Sequence, residues 1–361
     1  MANRSSAVTT TETGTSSGKE LRIAILGSGY MGRTYAEGLS KFNKRAKLVA
    51  ISGGKRAPGL ASAHNVDYEE SYDKLLSRPD IDAVLIATPH AAHVDQTVRA
   101  AEHGKHVLVE KPMATSVEEC DKMINACQKA GVYLEVIQTL RFRGTPSRAK
   151  DLIDQGAIGE VRMIQGQSLF TQYVAIDESA AWILDPKQGG AFLDMGVHNF
   201  DIMRHLAGSD VKRVFSNVTS FGPDKRIPDQ TAITQLVMEN GVICSHWMCH
   251  EMPPPNIPDA MHRYVVVGSK GILDIDGYGK LMLGKDNKWE LIWTQPTFDF
   301  IKDPLNPARL YAFYTQAQAF VDDILNRRSP TVPGSEGRAA VEVVQAARIS
   351  SETGKAVDLP L

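Results

Sequence analysis

Three residues of the chain have the types and spacing that proton-transfer chemistry requires. Asp194 and His198 are four residues apart in LDMGVHNFDIMRHL, whose pattern predicts a helix with both side chains on one face. Imidazole titrates near neutral pH, so His198 is suited to act as general base or acid. Lys111 follows the apolar run His106–Val109, where its cation can hydrogen-bond a reacting oxygen. Asp194 would orient substrate hydroxyls, and Asp201 would hold the His198 ring from its other side.

The elements that would position Lys111 form an alternating pattern. Short apolar runs predict strands at Leu21–Leu26, Lys47–Ser52, Asp82–Ala87, His106–Val109 and Val132–Ile137. Helical stretches between them are predicted at Arg33–Lys41, near Leu60, at Ala91–His103 and at Ser116–Ala130. This alternation is typical of a doubly wound α/β fold, a parallel sheet with helices on both faces. Ligands of such sheets bind beyond the carboxyl ends of the strands, which is where Lys111 is expected.

A glycine-rich segment, GSGYMG, follows the first predicted strand and opens a helix. Gly27 permits a tight turn, Gly29 lets the backbone approach a pyrophosphate, and Gly32 allows close packing of helix and strand. Tyr30 and Met31 lie inside the motif and join the predicted cofactor-binding residues. The motif in this context predicts a dinucleotide-binding Rossmann domain over residues 21–140.

The end of the second strand bears on which dinucleotide binds. An NAD site normally places Asp or Glu there to bind the ribose 2′-hydroxyl. Here Ser52 and Gly53 hold the position, and Lys55 and Arg56 follow. The missing carboxylate and the two cations favour NADP over NAD. In the alternative interpretation the two cations are solvated loop residues, and NAD remains open.

After Arg162 the pattern changes to alternation of apolar and polar residues, which is typical of half-buried strands. The strands are predicted at Arg162–Gln172, Lys212–Phe221, Thr231–Met238, Val242–Glu251, Arg263–Val267, Gly271–Ile275, Leu281–Gly284 and Trp289–Trp293. Asn240–Gly241 predicts a hairpin. Residues 141–361 are thus expected to form an α+β domain with a large, open, mostly antiparallel sheet. The helix Val197–Leu206 is expected on one face of this sheet. The helix Arg309–Asn326 and the C-terminal helix Glu336–Ser350 should pack across both domains.

Composition restricts the partners and the compartment. The 40 basic and 42 acidic residues give a net charge of −2, so neither nucleic acid nor an anionic membrane is expected as a partner. The Ser- and Thr-rich residues 1–20 are predicted to be a disordered tail without a secretion signal. The four cysteines are interpreted as reduced thiols of a cytoplasmic protein. Cys244, His246, Cys249 and His250 match no standard zinc spacing, so no metal is expected. The uncovered face of the open sheet predicts a homodimer or homotetramer packed sheet on sheet.

Three further motifs carry a resemblance to a known family. They are ATPHAAH at residues 87–93, GKHVLVEKP at 104–112 and GGAFLDMGVHNFD at 189–201. In this order and spacing they resemble the Gfo/Idh/MocA oxidoreductases, from Leu21 to the C-terminal end. The resemblance implies that Lys111, Asp194 and His198 correspond to the family's catalytic trio.

The same resemblance implies further site residues. Thr88, Pro89, His93 and Glu110 would join the cofactor site, with His93 near the nicotinamide. Arg141 and Arg143 fall where relatives carry an Arg-Phe segment, although LRFRGTP departs from the usual form. Trp182 and Asp185, in AWILDP, would line the sugar pocket with Arg141.

The implied function is NAD(P)-dependent hydride transfer to or from a ring carbinol or ketone of a sugar or glycoside, with C3 as one candidate position. A cyclitol or dihydrodiol dehydrogenase is an alternative. A redox-neutral glycoside hydrolase, which oxidises, eliminates and re-reduces, is another, because the same Lys, His and cofactor begin that cycle. A non-catalytic dinucleotide sensor is disfavoured because Lys111 and His198 are both present.

Overall fold

The fold is that of a computed structural model, which describes residues 19–171, 184–222 and 228–361. The predicted tail apart from Lys19 and Glu20, the end of the predicted strand at Gln172, and Trp182 lie outside these ranges.

The N-terminal sheet is fully parallel, as predicted. Its strands are β1 (Leu21–Leu26), β2 (Ala46–Ser52), β3 (Asp67–Glu69), β4 (Ala83–Ile86), β5 (His106–Val109) and β6 (Leu134–Val136). The helices between them are α1 (Tyr30–Lys41), α2 (Ala57–Ala63), α3 (Tyr72–Leu76), α4 (His93–Glu102) and α5 (Val117–Ala130). The strand order is β3-β2-β1-β4-β5-β6, the doubly wound order of a Rossmann fold. The short elements β3 and α3 were not predicted, because three and five residues carry too little periodicity.

Local chemistry accounts for these elements. The apolar strand β4 is buried along its whole length, which parallel strands covered on both faces require. Helix α5 begins after Ser116, whose Oγ accepts a hydrogen bond from the backbone N–H of Glu119. It ends at Gly131, which adopts a left-handed conformation with φ of 67°.

The second sheet is mixed and mostly antiparallel. Its strands are β7 (Val161–Leu169), β8 (Val211–Thr219), β9 (Thr231–Met238), β10 (Ile243–Cys249), β11 (Arg263–Gly268), β12 (Ile272–Asp276), β13 (Lys280–Lys285), β14 (Lys288–Thr294) and β15 (Val357–Asp358). Their order is β14-β13-β12-β11-β7-β10-β9-β8-β15, and the β7–β10 pair is parallel. The predicted hairpin at Asn240–Gly241 connects the antiparallel strands β9 and β10.

Helices cover one face of this sheet and join it to the first. They are α6 (Gly144–Asp154), α7 (Gly190–Ala207), α8 (Pro307–Leu325) and α9 (Gly334–Thr353). The C-terminal helix α9 contacts α5 and β6 on one side and β8 and α7 on the other, so it packs against elements of both sheets as predicted. Helix α8 packs on α1, and Gln316 donates a hydrogen bond to the carbonyl of Val136. The boundary between the domains near residue 140 remains a prediction.

Large apolar side chains remain exposed on the uncovered face of the second sheet. Ile233, Ile243 and Trp247 are each about half exposed, and Trp247 is paired in register with Ile233. All four cysteines are free, and Cys244 and Cys249 face opposite sides of β10. Among the described residues, no helix is both long and apolar enough to cross a membrane.

Candidate active site

The glycine loop between β1 and α1 shows why each glycine is needed. Gly27 has φ of 115°, and a Cβ added to it would lie 2.2 Å from the carbonyl oxygen of Ala87. A Cβ on Gly32 would lie 2.1 Å from the carbonyl oxygen of Gly27. At Gly29 an added Cβ would meet nothing within 4 Å, so the backbone there faces open space at the N-terminus of α1. This open approach to a helix N-terminus fits the pyrophosphate of a dinucleotide.

The end of β2 carries the residues predicted to recognise the ribose. Ser52 is buried and its Oγ has no hydrogen-bond partner among the described residues, while Lys55 and Arg56 are exposed. The carbonyl of Gly53 accepts a hydrogen bond of 2.8 Å from Ser28 Oγ, which ties this loop to the glycine loop. The cations therefore lie in the loop that follows β2, beside the glycine loop.

The turn after β4 contains two histidines with different surroundings. His93 is fully buried, with Nδ1 3.0 Å from the carbonyl oxygen of Pro112 and Nε2 2.9 Å from that of Thr88. Both ring nitrogens thus lie against loop carbonyls, and His93 is not among the residues lining the cleft described below. His90, which sequence reasoning did not select, has Nε2 3.8 Å from Asp194 Oδ1, and burial lowers its pKa to about 4.

Lys111 and Asp194 are in direct contact. Lys111 follows β5, and its Nζ donates hydrogen bonds to Asp194 Oδ1 at 2.6 Å and to the Asp194 carbonyl at 3.0 Å. The preceding Glu110 is buried, and its oxygens accept from the Tyr35 hydroxyl at 2.6 Å and from the Lys111 backbone N–H at 2.9 Å. Burial raises the pKa of Glu110. The strand end and helix α7 thereby hold the Lys111 ammonium group in one place.

His198 completes the predicted trio and lines the same cleft as Lys111. Burial lowers its pKa well below the ordinary 6.5, and the Lys111 cation lowers it further. Its Nδ1 is buried and has no hydrogen-bond partner among the described residues. The ring of His262 lies 6.2 Å away, centroid to centroid, and was not predicted. A neutral imidazole beside a fixed ammonium group can accept a proton from a bound hydroxyl.

The cleft itself lies between the two sheets and has a volume of about 230 Å³. Tyr30, Met31 and Glu110 from the predicted cofactor set line it together with Lys111 and His198. Arg143, which the sequence suggested together with Arg141, also lines it. Sequence reasoning missed His262, Tyr278 and Arg309, which line it as well. These three come from separate segments of the chain, and a single sequence offers no spacing signal that links them.

Two predicted substrate residues lie elsewhere. Arg141 forms a bidentate ion pair with the fully buried Asp201 and also contacts Glu336, so its charge is used inside the protein and it is not among the residues lining the cleft. The expectation that Asp201 holds the His198 ring is wrong for the same reason, because both Asp201 oxygens accept from Arg141. Asp185 is exposed and caps the turn before α7 by accepting from the Lys187 N–H. Trp182 is outside the described residues.

The cysteine and histidine cluster near β10 offers no metal centre within the described ranges. No group of three or more His, Cys, Asp or Glu side chains there is close enough to hold an ion. His246 is fully buried against the ring of Phe200, and burial lowers its pKa to about 3.

Comparison with known families gives matches in both halves of the chain. A model described as the oxidoreductase family with an NAD-binding Rossmann fold matches residues 21–138. A model of the GFO/IDH/MocA C-terminal domain matches residues 147–274. Together the two matches cover more than half of the 361 residues.

Individual relatives match most of the chain. The chain is 29% identical over 351 residues to scyllo-inositol 2-dehydrogenase (NAD(+)) of Bacillus subtilis, which covers 94% of this chain and 96% of that protein. It is 28% identical over 265 residues to 2,7-anhydro-N-acetylneuraminate hydratase of Mediterraneibacter gnavus, covering 72% and 68%. The crystal structure of aldose-aldose oxidoreductase from Caulobacter crescentus complexed with glycerol superposes with a TM-score of 0.81 at 26% identity, covering 94% and 100%.

Proposed function

This chain belongs to the Gfo/Idh/MocA oxidoreductase family, whose members act on CH–OH groups with a nicotinamide cofactor, and we propose that it oxidises or reduces a ring carbon of a sugar or glycoside. The observation that carries the proposal is the Lys111–Asp194 pair in contact at 2.6 Å, with Lys111 and His198 on the same cleft as Tyr30 and Met31, which directly follow the glycine loop. Proton-transfer groups and a dinucleotide loop at one cleft suit alcohol oxidation or its reverse.

The proposed roles follow from charge and hydrogen bonding. When bound, the nicotinamide supplies the hydride chemistry. In oxidation the neutral His198 ring takes the proton of the substrate hydroxyl, and the Lys111 ammonium group hydrogen-bonds the same oxygen and stabilises its developing negative charge. Asp194 fixes the Lys111 side chain, because it accepts from Nζ through both its carboxylate and its carbonyl. In reduction the His198 imidazolium returns the proton to the oxygen.

We propose that the cofactor is held by the glycine loop, by the β2 loop with Ser52, Gly53, Lys55 and Arg56, and by Thr88 and Pro89 after β4. Preference for NADP over NAD rests on the two exposed cations after β2 and on the absence of an acidic residue from positions 52–56. Dissociation constants from quenching of protein fluorescence by NADPH and NADH test this. Lys55→Gln combined with Arg56→Gln should weaken the binding of NADPH and leave the affinity for NADH nearly unchanged. Tighter binding of NADH than of NADPH by the unaltered protein would contradict the preference for NADP.

The function is tested by absorbance at 340 nm with either oxidised cofactor, across monosaccharides, glycosides and cyclitols. A rise with sugars or glycosides is expected, and identification of the keto product shows whether C3 is the oxidised carbon. A rise confined to cyclitols or dihydrodiols would replace the sugar with the alternative substrate, which the inositol dehydrogenase relative supports.

A redox-neutral reaction is the second candidate, supported by the relative named as a hydratase. In such a cycle the lysine and histidine would remove the hydroxyl proton while the nicotinamide takes the hydride, and they would return the proton when the hydride is given back. Release of an aglycone or hydrated product without change at 340 nm would establish it. A protein that binds cofactor and transforms no substrate would instead be a sensor.

We propose further that the exposed apolar face of the second sheet joins copies of the chain as a homodimer or homotetramer. Ile233, Ile243 and Trp247 are aligned on β9 and β10 and leave apolar surface in water unless it is covered. Light scattering should give a mass that is two or four times 39.5 kDa. Ile243→Lys should reduce that mass, whereas an unaltered protein that is monomeric at micromolar concentration contradicts the proposal.

A further inference from the structure

Two buried arginines that line the cleft have no counter-charge among the described residues. Arg143 is 3% exposed and Arg309 is 2% exposed, and the Nε of each has no hydrogen-bond partner in the part of the chain that the structure describes. A buried guanidinium group is costly unless an acceptor or an opposite charge compensates it. Two buried cations at one cleft, neither of them paired with a described carboxylate, therefore indicate that the ligand brings an anion.

The other charges of the cleft are already paired. The Lys111 ammonium group contacts Asp194, and the two oxygens of Glu110 accept from Tyr35 and from the Lys111 backbone. Neither Arg143 nor Arg309 takes part in an ion pair with any described residue, unlike Arg141, which contacts two carboxylates. Burial lowers the pKa of Arg309, and the Arg143 cation lowers it further, which indicates that the two positive charges act on one another.

The geometry leaves the edge of Arg143 available. Its Cζ lies 4.3 Å from the ring centroid of Tyr278 and 5.8 Å from that of Phe313, so aromatic faces hold the guanidinium group. A guanidinium plane fixed by stacking can present its in-plane N–H groups as a fork to a carboxylate. Arg143 also lines the same cleft as His198 and His262, which places it on the substrate side.

Arg309 lies nearer the cofactor loop. Its Cζ is 4.5 Å from the Tyr30 ring, and its Nη1 donates to Thr34 Oγ1 at 3.1 Å and to the Pro304 carbonyl at 2.5 Å. Both Tyr30 and Thr34 belong to α1, directly after the glycine loop. Arg309 therefore lies beside the region proposed for the cofactor, whose phosphates are also anions. Arg143 lies beside the substrate region alone.

We infer that Arg143 binds a carboxylate group of the substrate, so that the enzyme prefers an acidic sugar or polyol over its uncharged counterpart. This inference rests on the proposed oxidoreductase function and narrows its substrate class. Arg309 adds a second positive charge that favours the same anion. A carboxylate held by Arg143 would fix the orientation of the ring and thereby the carbon presented to His198 and Lys111.

The test compares matched pairs of substrates, D-glucose with D-glucuronate and D-galactose with D-galacturonate. The ratio of kcat/KM for the acid to that for the neutral sugar should exceed one in the unaltered enzyme. Arg143→Leu should lower that ratio roughly 10- to 100-fold, since a charge-assisted pair is lost. Arg143→Lys, which keeps the charge but not the fork, should retain part of the preference. Arg148→Gln is the control, because Arg148 lies in α6, which begins directly after Arg143, stacks on Trp293 and is absent from the cleft lining.

An equilibrium measurement makes the result independent of turnover. Calorimetry with the NADH-saturated protein compares gluconate with sorbitol, and gluconate should bind at least about tenfold tighter to the unaltered protein. NADH affinity and melting temperature of each variant show whether it is folded. The inference would be overturned if Arg143→Leu weakened the acid and its neutral counterpart equally, in kcat/KM or in affinity. It would also be overturned if the unaltered enzyme showed no preference for the acids. If only neutral sugars are turned over, the carboxylate inference fails and the proposed oxidoreductase function is supported. If gluconate binds clearly but no substrate is turned over, the proposed function is contradicted and the carboxylate site is supported.

Discussion

The two sides of the cleft are built in different ways. On the cofactor side, the six consecutive residues Gly27–Gly32 form the turn after β1 and the first turn of α1. Their shape depends on backbone contacts: a Cβ on Gly27 would lie 2.2 Å from the carbonyl oxygen of Ala87. On the substrate side, the lining consists of side chains from the segment between β6 and α6, from α7 and α8, and from the β10–β11 and β12–β13 connections. Local backbone geometry makes the first side, and long-range packing makes the second.

The difference explains which side a sequence reveals. A loop that has no room for a Cβ at certain positions requires glycine there, so the glycines recur at a fixed spacing in the sequence whichever ligand binds. A pocket assembled from distant side chains leaves no spacing, so its residues can change while the fold remains. We therefore expect substitutions on the cofactor side to act through backbone strain or cofactor affinity, and those on the substrate side through turnover and selectivity.

Lys111→Ala should have the largest effect on activity, and it should lower turnover without a comparable loss of cofactor affinity. Loss of the ammonium group that we propose as the hydrogen-bond donor to the reacting oxygen is expected to lower kcat/KM roughly 10²- to 10⁴-fold. The glycine loop is untouched, so cofactor affinity measured by NADH fluorescence should change only a few-fold. Lys122→Ala, at an exposed position of α5, is the matched control. Full turnover in Lys111→Ala would refute its assigned role.

Arg141→Met should affect stability rather than substrate recognition. It removes the partner of the fully buried Asp201, which is expected to reduce the free energy of unfolding by about 3–5 kcal/mol in urea titrations. Replacing Asp201 by Leu in the same chain should restore part of that stability. If Arg141→Met were as stable as the original protein but raised KM for the substrate, Arg141 would belong to the pocket after all.

Gly27→Ala and Gly29→Ala form a matched pair on the cofactor side. The first meets a carbonyl at 2.2 Å in a left-handed conformation and should cost about 1–3 kcal/mol of unfolding free energy or more. The second meets nothing within 4 Å, so thermal stability should be preserved. Because the added methyl group occupies the space assigned to the pyrophosphate, cofactor affinity should nevertheless fall roughly tenfold. Unchanged affinity in Gly29→Ala would place the pyrophosphate elsewhere.

The smallest effect expected is in the pH profile. Burial lowers the pKa of His198 well below 6.5. The neutral ring therefore predominates at pH 6.5 and above, and it is protonated only as the pH falls through the lowered pKa. Oxidation should therefore keep nearly constant kcat/KM between about pH 8 and pH 6.5, and decline only at lower pH. Reduction needs the imidazolium and should speed up as the pH falls. A tenfold loss of oxidation per pH unit already above pH 7 would rule out the lowered pKa.

Particular residues show how far the sequence went. The parallel sheet, the hairpin at Asn240–Gly241 and the meeting of Lys111, Asp194 and His198 at one site were predicted. The Arg-Phe segment suggested both Arg141 and Arg143, and Arg143 lines the cleft whereas Arg141 does not. The motif ATPHAAH suggested His93, and the structure adds His90 as the histidine beside Asp194. The sequence identified these segments, but it did not show which side chain of each segment faces the cleft or Asp194.

Periodicity and motif spacing determined the fold class and the glycine loop, because each is a local property of the chain. The tertiary structure decided which of two neighbouring arginines has a carboxylate partner and which is left without one. It also decided that His262, Tyr278 and Arg309 reach the same cleft. Those outcomes depend on how α6, α7 and α8 pack between the two sheets, and packing over such separations in the chain leaves no pattern in a single sequence.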